Sequence, residues 1–232
     1  MRTEAEKIGV TLSPCELHKF FVYKNMLQEH NSRYNLTSLI SDEDILYKHF
    51  IDSLSIAKYL KKRNGICIDI GTGAGFPLLP AGIARSDLRI TLADSVKKKA
   101  RFLETLTEEL GIANIVIIHA RAEDLARDPQ HRAGYDYAVS RAVAPLRILV
   151  EYCVPFLRTG GMMLAMKASL RDEPEKARNS LKELKAECIN IDRYEMVYDN
   201  ETYKRTVVEI VKKEDTATKY PRKAGIPEKH PL

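Results

Sequence analysis

The pattern of apolar and polar positions changes near residue 65. Before that point apolar residues recur at helical spacing, and Ser13-Pro14 is a good helix start because a capping hydroxyl precedes a proline at the first helical position. A second helix is predicted after Asp42, and we expect the two helices to pack together and onto the domain that follows. The first apolar stripe comprises Leu17, Phe20, Phe21 and Leu27, and the second comprises Ile45, Leu46, His49, Phe50, Leu54, Ala57 and Leu60.

From Ile66 onward, short β-branched runs alternate with helical segments, which is typical of a doubly wound α/β fold with a parallel sheet. Two further strand-like segments predict an antiparallel hairpin at one edge, which makes a mostly parallel, seven-stranded sheet. The predicted parallel strands are 66–70, 89–93, 114–118, 135–140 and 162–167, the hairpin strands are 188–197 and 203–211, and the helices lie near 76–85, 96–110, 144–157 and 170–187.

Three segments follow from these patterns: an N-terminal helical extension (1–64), an α/β domain (65–213) and a basic, proline-rich tail (214–232). Within this tail, residues 217–232 carry four positive residues against Glu228, a net charge of +3, and we interpret them as an extended basic arm because the prolines disfavour regular structure. Its positive residues are Lys219, Arg222, Lys223 and Lys229, and its prolines are at 221, 227 and 231.

Composition adds little to this picture. The 232 residues are 44% hydrophobic, enough for a substantial core, and the net charge of +5 only slightly favours a polyanionic partner. The four cysteines stand far apart without metal-ligand spacing, so we predict reduced thiols and no metal site. No apolar stretch resembles a signal peptide or a membrane span, so we expect a cytoplasmic protein without membrane association.

The candidate chemistry begins at the glycines that follow strand 66–70. Gly71, Gly73 and Gly75 allow a tight turn and close approach of a ligand to the backbone. A dinucleotide fingerprint needs glycine where Phe76 stands, so a ligand without phosphates fits better, and S-adenosylmethionine is the candidate. Asp69 would attract its cationic amino-acid end and Phe76 would supply an aromatic wall. The alternative is a tight strand-to-helix connection that binds nothing.

Further candidates follow the second and third strands. Asp94 lies 23 residues after Gly71, where an acid accepts hydrogen bonds from ribose hydroxyls; alternatively it caps the helix that begins near Val96. The Ala122 amide and the Glu123 carboxylate match the acceptor and donor groups of adenine. The alternative for these two is a solvated charged turn.

Several basic residues are candidates for contacts with a base or with phosphates. Arg141 could hold the acceptor at the end of the fourth strand, or pair with a neighbouring acid. The cluster Lys97, Lys98 and Lys99 with Arg101 opposes the helix dipole, which suggests a polyanion, although such charges are often simply solvated; Lys97, Lys98 and Arg101 are the candidates. Lys167 is either a phosphate contact or a strand-end lysine in water. His49 could pair with Asp52, but is more typical of a packing residue.

Seven ordered motifs give this chain a family resemblance. They are residues 34–37 (YNLT), 48–54 (KHFIDSL), 71–77 (GTGAGFP), 94–98 (DSVKK), 121–123 (RAE), 140–142 (SRA) and 221–227 (PRKAGIP). The glycine turn alone would indicate only the superfamily of S-adenosylmethionine-dependent methyltransferases. With all seven motifs, the chain resembles the bacterial ribosomal RNA small subunit methyltransferase G family, also called glucose-inhibited division protein B, over nearly its whole length.

The resemblance implies a Rossmann-like class I methyltransferase that transfers the methyl group of S-adenosylmethionine to guanine N7 at one position of 16S ribosomal RNA. It implies cofactor contacts at Gly71, Phe76, Ala122, Glu123 and Arg141, beside Asp69, Gly73 and Asp94 from the reasoning above. We expect Arg222 and Lys223 to bind RNA with the other basic candidates, and the chain to be a monomer acting on the RNA or the small subunit. The alternatives are a small-molecule methyltransferase and a non-catalytic RNA-binding protein that senses S-adenosylmethionine.

Overall fold

A computed structural model describes all residues from 1 to 232. Its strands form one seven-stranded sheet in the order β3-β2-β1-β4-β5-β7-β6, where β7 runs antiparallel to both β5 and β6. The predicted mostly parallel sheet with an antiparallel edge hairpin is therefore confirmed. The strands are β1 (Ile66–Ile70), β2 (Arg89–Asp94), β3 (Ile115–His119), β4 (Tyr135–Arg141), β5 (Leu157–Lys167), β6 (Ala186–Tyr198) and β7 (Glu201–Lys212).

The predicted helices are present near their expected positions, and three short helices, Arg2–Lys7, Ala122–Leu125 and Ile226–Lys229, were not predicted. Two predicted helices differ in form. The segment after Asp42 alternates α, π and 3₁₀ turns, and the helix predicted over 170–187 is two short helices, because Pro174 restricts the first to a start at Glu173. The α-helices are α1 (Arg2–Lys7), α2 (Pro14–Tyr34), α3 (Asp42–Asp44), α4 (Asp52–Leu54), α5 (Leu78–Ala84), α6 (Lys97–Glu109), α7 (Ala122–Leu125), α8 (Leu146–Cys153), α9 (Glu173–Lys176), α10 (Arg178–Glu183) and α11 (Ile226–Lys229). A π-helix spans Ile45–Ile51, and 3₁₀ turns span Ser55–Lys58 and Val154–Phe156.

The chain divides into two compact units. The first contains residues 1–65 and 72–119, and the second contains residues 66–71 and 120–232. These units group the residues differently from the three segments proposed from sequence, which stay a prediction. No helix combines the length and the apolar character that crossing a bilayer requires.

In the first unit, the packing of the two N-terminal helical segments is as predicted. Ser13 and Glu16 form a reciprocal capping box that starts α2. The Phe50 ring lies 5.0 Å from that of Phe20 and 5.1 Å from that of Tyr23, between ring centroids. The expectation for Phe21 was wrong: its side chain is 57% exposed, because the buried face of α2 follows the spacing 20, 23 and 27.

In the second unit, the tail is folded against the protein, so the expected extended arm was wrong. Tyr220, Pro221 and Pro227 are buried, and the short helix α11 has proline in its first turn, where the missing N–H costs nothing. The physical reason is that Arg127, Arg132 and the buried Glu151 form hydrogen bonds with the tail. All four cysteines are free, and burial followed by the charge of Asp69 raises the pKa of the Cys153 thiol.

Candidate active site

In the first unit, the glycine turn at residues 72–76 closes on itself through hydrogen bonds. The Gly75 and Phe76 amides donate to the Thr72 carbonyl at 3.0 and 2.9 Å. Gly73 and Gly75 have φ angles of +64° and +107°, in the region that favours glycine. A Cβ atom on Gly75 would lie 2.7 Å from the Tyr23 hydroxyl oxygen, whereas one on Gly73 would meet nothing within 4 Å. Gly75 therefore allows close packing of the turn against Tyr23, whereas the space beside Gly73 is open.

Asp94 ends β2 and holds this turn. One of its carboxylate oxygens accepts the Gly73 N–H at 2.8 Å and the other accepts the Val96 N–H at 2.8 Å. The capping alternative is therefore realised in part, because Val96 immediately precedes α6. A carboxylate has about four acceptor positions, so these two bonds leave capacity for ribose hydroxyls.

Phe76 lies between two other rings. Its ring stacks on that of His49 at 4.3 Å and on that of Tyr23 at 5.5 Å, with interplanar angles of 7° and 9°. Only 5% of Phe76 is exposed, because these two rings cover it, and its role as an aromatic wall for the cofactor stays a prediction. The packing interpretation of His49 is confirmed, because the residue is buried and its Nε2 lies 2.9 Å from the Thr37 hydroxyl.

Sequence reasoning did not identify Tyr23 as a residue of this site. It is fully buried, and its hydroxyl donates to the Ala74 carbonyl at 2.5 Å, so α2 holds the middle of the glycine turn. The available signal was its position in α2, three residues after Phe20 on the same helix face.

In the second unit, Asp69 and Gly71 occupy the carboxyl end of β1. Asp69 is fully buried opposite Val139 of β4, where low polarity strengthens the field of a charge. Gly71 has a φ of +70°, and a Cβ atom there would lie 2.6 Å from a Val143 methyl carbon. Close packing as well as conformation therefore requires glycine at this position.

Ala122 and Glu123 form the first turn of α7. Glu123 is only 5% exposed, which excludes the solvated-turn alternative for it, and its Oε1 accepts the N–H of Gly225 at 3.0 Å. Burial, followed by the charge of Glu123, raises the pKa of Tyr152 to about 12. The Tyr152 phenol is thus neutral in the field of this carboxylate, and sequence reasoning did not identify it.

Arg141 is the last residue of β4 and is half-buried. The following residue, Ala142, has a φ of +57°, which is uncommon for a residue with a side chain and turns the chain sharply. The preceding residue is also fixed, since the Ser140 hydroxyl donates to the Ile70 carbonyl at 3.1 Å. Arg141 therefore occupies a fixed backbone position at the end of β4 in the second unit.

The basic candidates separate into two groups. Lys97, Lys98 and Arg101 of α6, and Lys223 of the tail, are exposed and form no ion pair. The structure does not favour RNA contacts at the remaining two, because their charges have protein partners. Lys167 donates to the Ala144 carbonyl at 2.6 Å and pairs with Glu173 at 2.9 Å, and Arg222 pairs with buried Glu151 at 2.6 Å.

A mostly parallel sheet with a glycine turn after its first strand and an acid ending its second defines the class I S-adenosylmethionine-dependent methyltransferase fold. One similar solved structure is an S-adenosylmethionine-dependent O-methyltransferase from Thermotoga maritima, with a TM-score of 0.53 and 16% identity, covering 82% of this chain and 72% of that one. That likeness shows the fold alone.

Sequence comparison is more specific. Residues 16–200 match the family model for rRNA small subunit methyltransferase G. Relatives named ribosomal RNA small subunit methyltransferase G, from Acetivibrio thermocellus and Alkaliphilus metalliredigens, are 43% and 37% identical to this chain. The alignments cover 98% and 100% of this chain, and 93% and 97% of the relatives. This chain belongs to the rRNA small subunit methyltransferase G family, as its motifs predicted.

Proposed function

We propose that this protein transfers the methyl group of S-adenosylmethionine to N7 of a guanine in 16S ribosomal RNA, acting as a cytoplasmic monomer. The observation that carries the proposal is the match over essentially the full chain to relatives named for ribosomal RNA methylation. The naked RNA or the small ribosomal subunit would be its substrate.

Each of the two units carries groups that fit a part of S-adenosylmethionine. Gly73 would present its backbone to the ligand, and the open space beside it supports a contact there. Gly71 would be a further backbone contact, although Val143 packs against one side of it. Asp94 would accept the ribose hydroxyls, while the Ala122 amide and Glu123 would bind adenine. Asp69 would attract the cationic end of the cofactor electrostatically. Phe76, whose ring is covered, would contribute through its backbone.

The bound cofactor supplies an electrophilic sulfonium methyl group. Guanine N7 has an in-plane lone pair and no proton, so the protein needs no general base for attack on that methyl carbon. This chain would instead orient the guanine, exclude water and tolerate the positive charge that forms on the base. Arg141 is the candidate for positioning the guanine, because its planar guanidinium can donate two parallel hydrogen bonds.

RNA binding would depend on the exposed basic residues Lys97, Lys98, Arg101 and Lys223, which form no ion pairs in the protein. The N7 edge of paired guanine faces the deep, narrow groove of an A-form helix, which side chains do not read. The target guanine should therefore be unpaired or in a loop.

The direct test is to incubate the protein with methyl-labelled S-adenosylmethionine and undermethylated small-subunit RNA, and to identify the labelled nucleoside. We expect label in 7-methylguanosine at a single position. Label in other nucleosides would refute the position-specific proposal. Binding of S-adenosylmethionine without turnover would favour a non-catalytic RNA-binding protein that senses the cofactor. Turnover only on small molecules would favour a small-molecule methyltransferase.

Arg141 gives a first residue-specific prediction. The Arg141→Ala variant should lower the methylation rate by at least about a hundredfold, because alignment of the acceptor contributes strongly to such displacements. Its free energy of unfolding should change by less than about 1 kcal/mol, as is usual for partly exposed positions. Rates and urea denaturation measured on the same preparation check this, and parallel losses in both would contradict the positioning role.

A further inference from the structure

The tail of residues 214–232 is held against the second unit by two arginines that bind its backbone. The Arg132 guanidinium donates to the carbonyl oxygens of Thr216 and Tyr220, both at 2.8 Å. Arg127 donates to the Pro221 carbonyl at 2.7 Å. Because these bonds go to main-chain atoms, they fix the path of the tail rather than a single side chain.

The next residue, Arg222, binds a buried acid. Glu151 of α8 is 1% exposed and accepts three hydrogen bonds within 3.0 Å from Arg222: the backbone N–H at 2.7 Å, Nε at 2.9 Å and an Nη atom at 2.6 Å. This contact is bidentate and charge-assisted, and it raises the pKa of Arg222. Removing either partner would leave an uncompensated charge, so the pair ties the tail firmly to α8.

Three residues after this pair, the tail reaches the candidate cofactor site. Gly225 has a φ of +81°, a conformation that glycine adopts readily, and its N–H donates to Glu123 Oε1 at 3.0 Å. The buried carboxylate proposed to bind adenine is thus oriented by the backbone of the tail. The other Glu123 oxygen is not used by Gly225.

We infer that the tail positions Glu123 for the cofactor, and that Arg222 and Glu151 are positioning residues for cofactor binding. The inference rests on the proposed function, in which the Glu123 carboxylate accepts a hydrogen bond from the exocyclic amine of adenine. A carboxylate that is already oriented loses less conformational freedom when the ligand binds, which improves affinity. The basic tail motif at 221–223 then acts on cofactor affinity through Arg222, and not only on RNA through Lys223.

The test separates cofactor affinity from RNA affinity. Dissociation constants for S-adenosylmethionine, by titration calorimetry, and for a small-subunit RNA fragment, by fluorescence anisotropy, are measured for wild type, Arg222→Ala and Lys229→Ala. Lys229 is the matched control because it is an exposed basic residue of the same tail. We expect Arg222→Ala to weaken cofactor binding about tenfold and RNA binding less than twofold, and the control to change neither. Weaker RNA binding with unchanged cofactor binding would overturn the inference.

A double-mutant cycle tests whether the effect passes through Glu123. In the Glu123→Ala background there is no carboxylate to orient, so adding Arg222→Ala should not weaken cofactor binding further. Additive losses would overturn the inference. If Arg222→Ala does not fold, Arg222→Lys replaces it in the same cycle, since lysine keeps the charge but loses the bidentate geometry. Failure of wild type to bind S-adenosylmethionine would instead refute the proposed function.

Discussion

At the scale of single residues, Tyr23 links the N-terminal helix to the glycine turn. Tyr23→Phe removes the hydrogen bond to the Ala74 carbonyl but keeps the ring stacked on Phe76. We expect a loss of about 1–2 kcal/mol in the free energy of unfolding, because a buried carbonyl loses its donor. Cofactor affinity should fall several-fold as the turn loosens.

Urea denaturation and titration calorimetry measure both effects. Tyr34→Phe is the control, since Tyr34 ends the same helix and its hydroxyl has no hydrogen-bond partner. Equal changes in the two variants would show that the Ala74 contact is unimportant.

Asp87 gives a prediction about pH. Hydrogen bonds from the Arg85 guanidinium, at 2.7 and 2.8 Å, lower the pKa of Asp87 to about 2. The carboxyl of an aspartate in the unfolded chain has a pKa of about 3.9. The lower pKa in the folded state therefore stabilises the folded protein at a pH above about 3.9, and this stabilisation is lost as the pH falls toward 2. Asp87→Asn should cost about 1 kcal/mol at pH 7 after allowance for screening by water.

The measurement is the free energy of unfolding of wild type and Asp87→Asn from pH 7 down to pH 2. The difference between the two should shrink through this window. Asp124→Asn, at an exposed aspartate without an ion pair, should show no such trend. A difference that stays constant with pH would contradict the assignment.

The residue-level predictions from sequence succeeded where local spacing determines position. The placement of Asp94 at the end of β2 follows from the strand pattern. The partners of Phe76, Lys167 and Arg222 were not predictable, because they depend on tertiary packing: the two rings that cover Phe76 come from the N-terminal helices, and Glu151 lies 71 residues from Arg222. An acid within the apolar sequence of α8 was the available hint.

At the scale of elements, alternation and turn residues located all seven strands, with one large error in a boundary. The strand β5 begins at Leu157, whereas the prediction began at residue 162. The prediction began too late because Gly160 and Gly161 suggest a break in a strand. The structure shows a register shift in the β4–β5 pairing there, and a Cβ atom on Gly161 would lie 2.9–3.2 Å from three carbonyl oxygens. Close backbone approach, which periodicity does not reveal, explains Gly161, whereas Gly160 has open space and a φ of +81°.

The first two turns of α6 carry a basic cluster that we predict to bind RNA. Neutralising its exposed cluster with Lys97→Gln, Lys98→Gln and Arg101→Gln should weaken RNA binding and lower the salt slope, log K against log salt concentration, by about 2. The helix itself should become slightly more stable, because these cations oppose its dipole.

The control removes three charges elsewhere, through Lys61→Gln, Lys62→Gln and Arg63→Gln, all at exposed positions. Anisotropy titrations with a small-subunit RNA fragment over a range of KCl concentrations give both slopes. An equal reduction in the two variants would mean that only net charge matters and that α6 is not a contact site.

At the scale of the whole molecule, the fold class and family were predictable because motifs along nearly the full chain agree. The course of the tail was not, because its charges suggested solvent whereas Arg127, Arg132 and Glu151 provide partners for it. Net charge and proline content describe a segment in isolation. They carry no information about the groups elsewhere in the chain that bind it.

The most direct test of the account is cofactor binding at the glycine turn. Titration calorimetry with S-adenosylmethionine is performed on wild type, Gly73→Ala and Gly9→Ala, since both glycines have positive φ and open space around a new Cβ atom. The account predicts saturable one-to-one binding for wild type and Gly9→Ala, and binding at least about tenfold weaker for Gly73→Ala. No heat with wild type, or equal affinity in all three proteins, would contradict it.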